Sequence, residues 1–214
     1  SEGRSAFLKR WAKAARKNKK GLTPILLLPL AACGGGGADV TEEPPLTSFS
    51  GTVDEVKALD AALYASGFTI SVTDATGSIA ATDLSVIGGS TSGAVTVSNA
   101  QTISGTSAEV TAALVTSGTQ VVLGAASTVT VSDATAVSTA ATLAGVTNAT
   151  VGFTNGITGT VATLVDSGAA HTDLTAVVGD DADVTISVTD ATGSIDATDL
   201  SVIGGSTSGA VTVS

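Results

Sequence analysis

The sequence predicts a mixed α/β chain, wound as a right-handed solenoid of leucine-rich-repeat-like coils. Each coil holds one strand and one short helix in about 29 residues. Three observations point there. Residues 69–98, TISVTDATGSIAATDLSVIGGSTSGAVTVS, return at 185–214 with one change, Ala80 against Asp196. A finer pattern recurs beneath this duplication, in which alternating β-branched residues lead to an Asp or Asn and then to a helix-start signal. Aromatic residues make up only 3 % of the chain, so Val, Ile, Leu and Ala must form the core. Small aliphatic side chains fill a narrow stacked interior better than a wide globular one.

The elements follow in order. Strands are predicted where apolar residues alternate: Phe68, Ile70 and Val72; Val95 and Val97; Val129 and Val131; Val151 and Phe153; Val184, Ile186 and Val188. Helix starts are predicted at residues 52, 82, 106, 140, 160 and 198. Thr52, Thr106 and Thr160 follow Gly, whereas Thr82 and Thr198 follow Ala. Threonine is a good N-cap because its hydroxyl accepts from an orphan N–H. TVDE (52–55) and TSAE (106–109) add a glutamate at the third position, the capping-box pattern. Val53, Val56, Leu59 and Leu63 then recur at helical spacing, with Gly67 and Gly118 expected to stop their helices. Consecutive strands would be parallel, joined by right-handed crossovers. An all-β parallel helix, with the helical stretches as loops, is the alternative.

Between strand and helix, Asp74, Asn99, Asp133, Asn155 and Asp190 recur at one position and should stack as a ladder. Such side chains accept backbone N–H bonds at tight turns. Carboxylates are also hard oxygen ligands, so calcium held between coils is the competing reading. Asp180, Asp181 and Asp183 in GDDAD are the weak candidates for a metal. No EF-hand loop and no Gly- and Asp-rich calcium nonapeptide is present. Catalysis has no sequence support. His171 is the only histidine and reads as a solvated helix-start residue, and no Ser or Thr has a recognisable base partner.

Charge divides the chain. Eight of its nine basic residues lie in the first twenty positions, while the stretch from Cys33 onward carries one Lys against eighteen acids. An acidic body repels nucleic acid, so no nucleic-acid partner is expected. Residues 1–32 have the order of an export signal: a basic region, then an apolar stretch from 21 to 32 too short to span a bilayer. An ordinary cleaved signal and an uncleaved amphipathic anchor, with Phe7, Trp11 and Ala14 on one face, are alternatives. Residues 33–48 read as a Gly-rich tether ending in Pro-Pro, and 49–214 as the repeat body. With one cysteine, no intrachain disulfide can form.

LAAC, from Leu30 to Cys33, resembles the lipobox of bacterial lipoproteins. The resemblance implies that Cys33 becomes the acylated first residue of a mature chain held to a membrane. Gly34 stands where an inner-membrane retention Asp would be, which implies outer-membrane sorting. The leader followed by acidic, Cys-free Ser/Thr/Val/Ala repeats is similar in organisation to large bacterial surface proteins of adhesin or S-layer type. That likeness implies an exported structural or adhesive protein at a Gram-negative surface, with an unidentified glycan or protein ligand. A calcium-dependent binding module of a secreted adhesin, or a scaffold for a downstream enzyme domain, are the alternatives. The chain stops at VTVS, inside a repeat whose earlier copy continues with Asn99, so a fragment with an open final strand that tends to associate is expected.

Overall fold

A computed structural model describes residues 45–59, 64–116, 121–146, 149–190 and 193–214. Residues 1–44, which hold the expected export signal, Cys33 and most of the expected tether, lie outside the described residues, as do Leu63 and Gly118. The described chain is mixed α/β with parallel sheets, and its helices exclude the all-β alternative.

Alternating apolar residues form strands that pair with the equivalent strand of the next repeat. The first sheet contains β1 (Leu46–Gly51), β2 (Tyr64–Val72), β4 (Val95–Val97) and β6 (Val121–Val122), in that order. The second contains β3 (Gly77–Ala80), β5 (Gln101–Gly105), β7 (Thr128–Val131) and β9 (Thr150–Phe153). The third contains β8 (Thr135–Ala136), β10 (Ile157–Gly159), β13 (Ile186–Val188) and β14 (Val211–Val213). Every pairing within these three sheets is parallel. Register places like on like: Ile70 beside Val95, Val72 beside Val97, and Ile79, Ile103, Val129 and Val151 in one row. All of these are buried. Each buried Val or Ile contributes roughly 1.5–3 kcal/mol.

Most repeats hold two strands rather than the one expected. The residues after the Asp/Asn turn, such as Ile79 and Ile103, belong to a second strand instead of a lead-in to the helix. Outward-facing residues of neighbouring strands carry hydroxyls that meet across the ladder. Ser71 and Ser98 share a 2.7 Å hydrogen bond, and Thr102 and Thr128 one of 3.1 Å.

Seven helices complete the described chain: α1 (Val53–Lys57), α2 (Ala81–Gly89), α3 (Ser107–Leu114), α4 (Val137–Val146), α5 (Val161–Leu164), α6 (Thr172–Asp180) and α7 (Ala197–Ser206). α2 packs on α3, and α4 on α6. Lys57 of α1 forms an ion pair with Asp83 of α2. Several sequence expectations are corrected. Thr82 and Thr198 lie inside α2 and α7, whose N-caps are Ala80 and Asp196. Residue 140 lies in the body of α4, which begins three residues earlier. Gly67 stops no helix; it sits within β2 at φ +76°, while α1 ends at Lys57 with Ala58 as its C-cap. The sequence reading also missed the hairpin of β11 (Val165–Asp166) and β12 (Ala169–Ala170), turned by Ser167 and Gly168 at φ 52° and 79°. Two successive residues at positive φ match the twist of an antiparallel pair.

Repeats are held close at the motif TSG. Thr91 donates its hydroxyl to the Phe68 carbonyl and accepts from the N–H of Gly93. Thr207 repeats this on Val184 and Gly209. At Gly93 and Gly209 a Cβ would collide with backbone carbonyls of the preceding repeat, so only glycine permits this approach.

The one difference between the duplicated segments is a helix cap. Asp196 accepts from both the hydroxyl and the N–H of Thr198, which hold its carboxyl below the usual carboxylate range. Ala80 has nearly the same backbone (φ −69°, ψ 135° against φ −68°, ψ 132°) and makes no side-chain cap. Ala80→Asp is therefore expected to raise stability by about 1 kcal/mol, read as melting temperature. Asp196→Ala should lower it at pH 7. A carboxyl with a depressed folded pKa contributes above its unfolded value, so that loss should vanish as acid protonates it.

Candidate functional site

The ladder is the most chemically distinctive feature of the described repeats. A helix leaves its first N–H groups without intrahelical partners. In α1, Thr52 accepts from the N–H of Glu55, and Glu55 returns a 2.9 Å bond to the N–H of Thr52. In α3, Thr106 and Glu109 do the same. The first helical N–H is satisfied from elsewhere. Asp74 accepts from Val53 at 2.8 Å, and Asp190 from Val161 at 2.7 Å. Asp133 accepts from the Ser107 N–H at 2.5 Å with one oxygen and from the Ser107 hydroxyl at 2.8 Å with the other. Each Asp thus binds the helix start of the preceding repeat, not its own turn. A carboxylate at a helix N-terminus also meets the positive end of the helix dipole.

The asparagines act in the opposite sense. Asn99 donates to the Asp74 carbonyl at 2.7 Å, and Asn155 to the Ser132 carbonyl at 2.6 Å. Asn99 also reaches the Thr73 carbonyl at 3.5 Å, and an ionised aspartate there would have no proton to donate to either carbonyl. Sequence reading grouped the five positions as equivalent, but the structure divides them into acceptors and donors. Thr160 stands at the N-cap of α5 without a side-chain cap bond, so the contact from Asp190 is the side-chain satisfaction shown at that helix start.

Gln101 was not singled out from sequence. It is buried, and its amide donates to the carbonyls of Asp74 and Ala75 at 3.0 Å each. Its Oε1 is the buried side-chain oxygen without a partner among the described residues. Its alternation with Ile103 was the available signal, since a polar residue at an inward strand position implies a buried polar contact.

The GDDAD segment closes an edge. β9 is the last strand of the second sheet, and its outward N–H groups would be open to another strand. Asp180 accepts from Val151 at 3.3 Å, and Asp181 from Phe153 at 2.7 Å. Burial pushes the Asp181 carboxyl above the usual range; the Phe153 N–H opposes this, while Asp183 and Asp180 add to it. Among the described residues, no group of three or more His, Cys, Asp or Glu is placed to hold a metal. His171 is the N-cap of α6 and accepts from the Asp173 N–H through Nδ1 at 3.2 Å. Among the described residues no helix is long and apolar enough to cross a membrane.

No protein-family model, curated protein or solved structure matches this chain.

Two outcomes test these contacts. Asp133→Ala leaves the Ser107 N–H without its carboxylate and is expected to cost about 1–2 kcal/mol. Asp133→Asn, which keeps one acceptor, should cost less. Equal losses from both variants, or a melting temperature of the parent chain that rises with added calcium, would overturn the structural role. Asp181 has the opposite linkage to Asp196. With its folded pKa raised, its contribution is complete below the unfolded value and is lost as rising pH ionises it in the fold. Asp181→Asn keeps an acceptor for Phe153 and should raise the melting temperature at pH 7, with the gain shrinking toward pH 3.

Proposed function

We propose that this chain is the N-terminal part of an exported, lipid-anchored surface protein, in which a right-handed solenoid serves as a structural or adhesive body. The observation that carries the reading is LAAC at 30–33, placed after a basic and then an apolar segment. Cys33 is the acylated anchor, and the Gly-rich stretch after it frees the body from the membrane. Support also comes from composition. A body with one Lys and eighteen acids suits a surface layer that is soluble and repelled by anionic lipid and nucleic acid.

The role is scaffolding and binding, not catalysis. The ladder aspartates already have backbone N–H partners, so a calcium ion would have to compete for them. A protein or glycan partner is better served by the outward rows of Ser and Thr, whose hydroxyls project from uncharged strands.

Expression in a Gram-negative host with a labelled fatty acid checks the anchor. The parent chain is expected to take up label and to fractionate with the outer membrane. Cys33→Ser should lose the label and leave that fraction. Unchanged fractionation and processing of Cys33→Ser would remove the anchor from the proposal.

A further inference from the structure

Of the four asparagines in the chain, only Asn155 is followed by glycine. An Asn-Gly pair is chemically labile, because the unshielded glycine nitrogen can attack the asparagine side-chain carbonyl. Three features of the fold bear on that attack. The Gly156 N–H donates to the Phe153 carbonyl at 2.9 Å across a turn, so the nucleophile has its proton engaged. The Asn155 amide is exposed but pinned to the Ser132 carbonyl of the preceding repeat at 2.6 Å. Its carbon can reach the Gly156 nitrogen only by a rotation that breaks this bond. Gly156 is itself buried at φ +70°, where a Cβ would collide with Thr185 of the following repeat. Its carbonyl accepts from the Thr135 N–H at 3.2 Å. The backbone freedom that makes glycine a fast partner is thus removed by neighbours on both sides.

The ladder gives the reaction a consequence. Its rungs alternate along the chain, from Asp74 and Asn99 through Asp133 and Asn155 to Asp190. An ionised aspartate at 155 would have no proton for the Ser132 carbonyl. It would also make three consecutive rungs acidic, and after Lys57 the chain has no Lys or Arg to offset the added charge.

We propose that Asn155 is a site of spontaneous modification, held unreactive by the stacked repeats and released when they part. The Gly156 nitrogen loses its proton and bonds to Asn155 Cγ. The bond from Cγ to the side-chain nitrogen breaks, ammonia leaves, and a cyclic imide closes. Water then adds to either ring carbonyl and opens the ring, giving aspartate or its isoaspartyl isomer. The sum is amide plus water to acid plus ammonia, with nothing oxidised or reduced. In the isomer the backbone runs through the former side chain, which moves Gly156 off Thr135 and Thr185. Either product marks a chain whose stack has opened, and hinders its closing.

Cys33 takes no part, so Cys33→Ser should convert as the parent does, and failure of the anchor leaves the inference standing. The test ages the 214-residue chain at mildly alkaline pH, with and without denaturant, and follows each asparagine by peptide mass mapping. In denaturant Asn155 should convert well ahead of Asn99, which precedes Ala100. In the folded chain the Asn155 rate should fall at least about tenfold, because each restraint adds to the barrier. Asp190→Ala removes the acceptor of the Val161 N–H and loosens the following repeat, so it should speed conversion in the folded chain. Asp190→Asn serves if that variant unfolds. Asn155→Asp, which carries the product's charge, should melt roughly 2–4 °C below the parent. Equal Asn155 rates with and without denaturant would overturn the inference. So would a rate unmoved by the substitution at 190, since the turn alone would then protect the site. An Asn155→Asp variant that melts with the parent would overturn the effect on the stack.

Discussion

The bond from a helix's first N–H to a carboxylate one repeat away is the contact on which the described stack depends. Helices of four to ten residues are too short to hold themselves in water, because nucleation fixes several dihedral angles for one hydrogen bond. α1, α3 and α5 have such starts, and Asp74, Asp133 and Asp190 supply what the helices lack. At these three helix starts the first N–H is met from the next repeat and not from the helix's own turn. The strands impose the same condition, because their backbone groups find partners only on neighbouring strands. Each repeat is therefore incomplete alone, and stability is a property of adjacent pairs.

The duplicated segment shows how far neighbours decide local structure. GSIA at 77–80 is the strand β3 because β5 lies beside it. The equivalent residues 193–196 form no strand. The helices that follow, α2 and α7, form in both places and begin at equivalent residues. Helix starts are local, fixed by dihedral angles and caps within a few residues, whereas strand formation needs a partner.

That contrast sets what could be read from the sequence. The capping boxes at Thr52 and Thr106 were legible because a cap is a bond between residues three apart. The parallel sheets were legible from the alternation in Val95 to Val97 and Val129 to Val131. The second strand found in most repeats was not, because runs such as Gly77 to Ala80 are too short to show a period before the helix begins. The helix start at His171 was read correctly, although histidine lies outside the usual capping set and the residue was not counted with the threonine caps. The ladder was visible as a recurrence, but its division into acceptors and donors was not, since the deciding partners lie 21 to 29 residues away.

The downstream edge of the second sheet poses the sharper physical question. Asp180 and Asp181 sit at the C-terminal end of α6, where the helix dipole disfavours negative charge. Asp181 is also partly buried and lies beside two like charges. Such an arrangement costs free energy and persists only where something offsets it. The offset is the pair of N–H groups on β9, which would otherwise be a template for another strand. The first and second sheets end within the chain, and the structure spends unfavourable electrostatics to stop the second from growing.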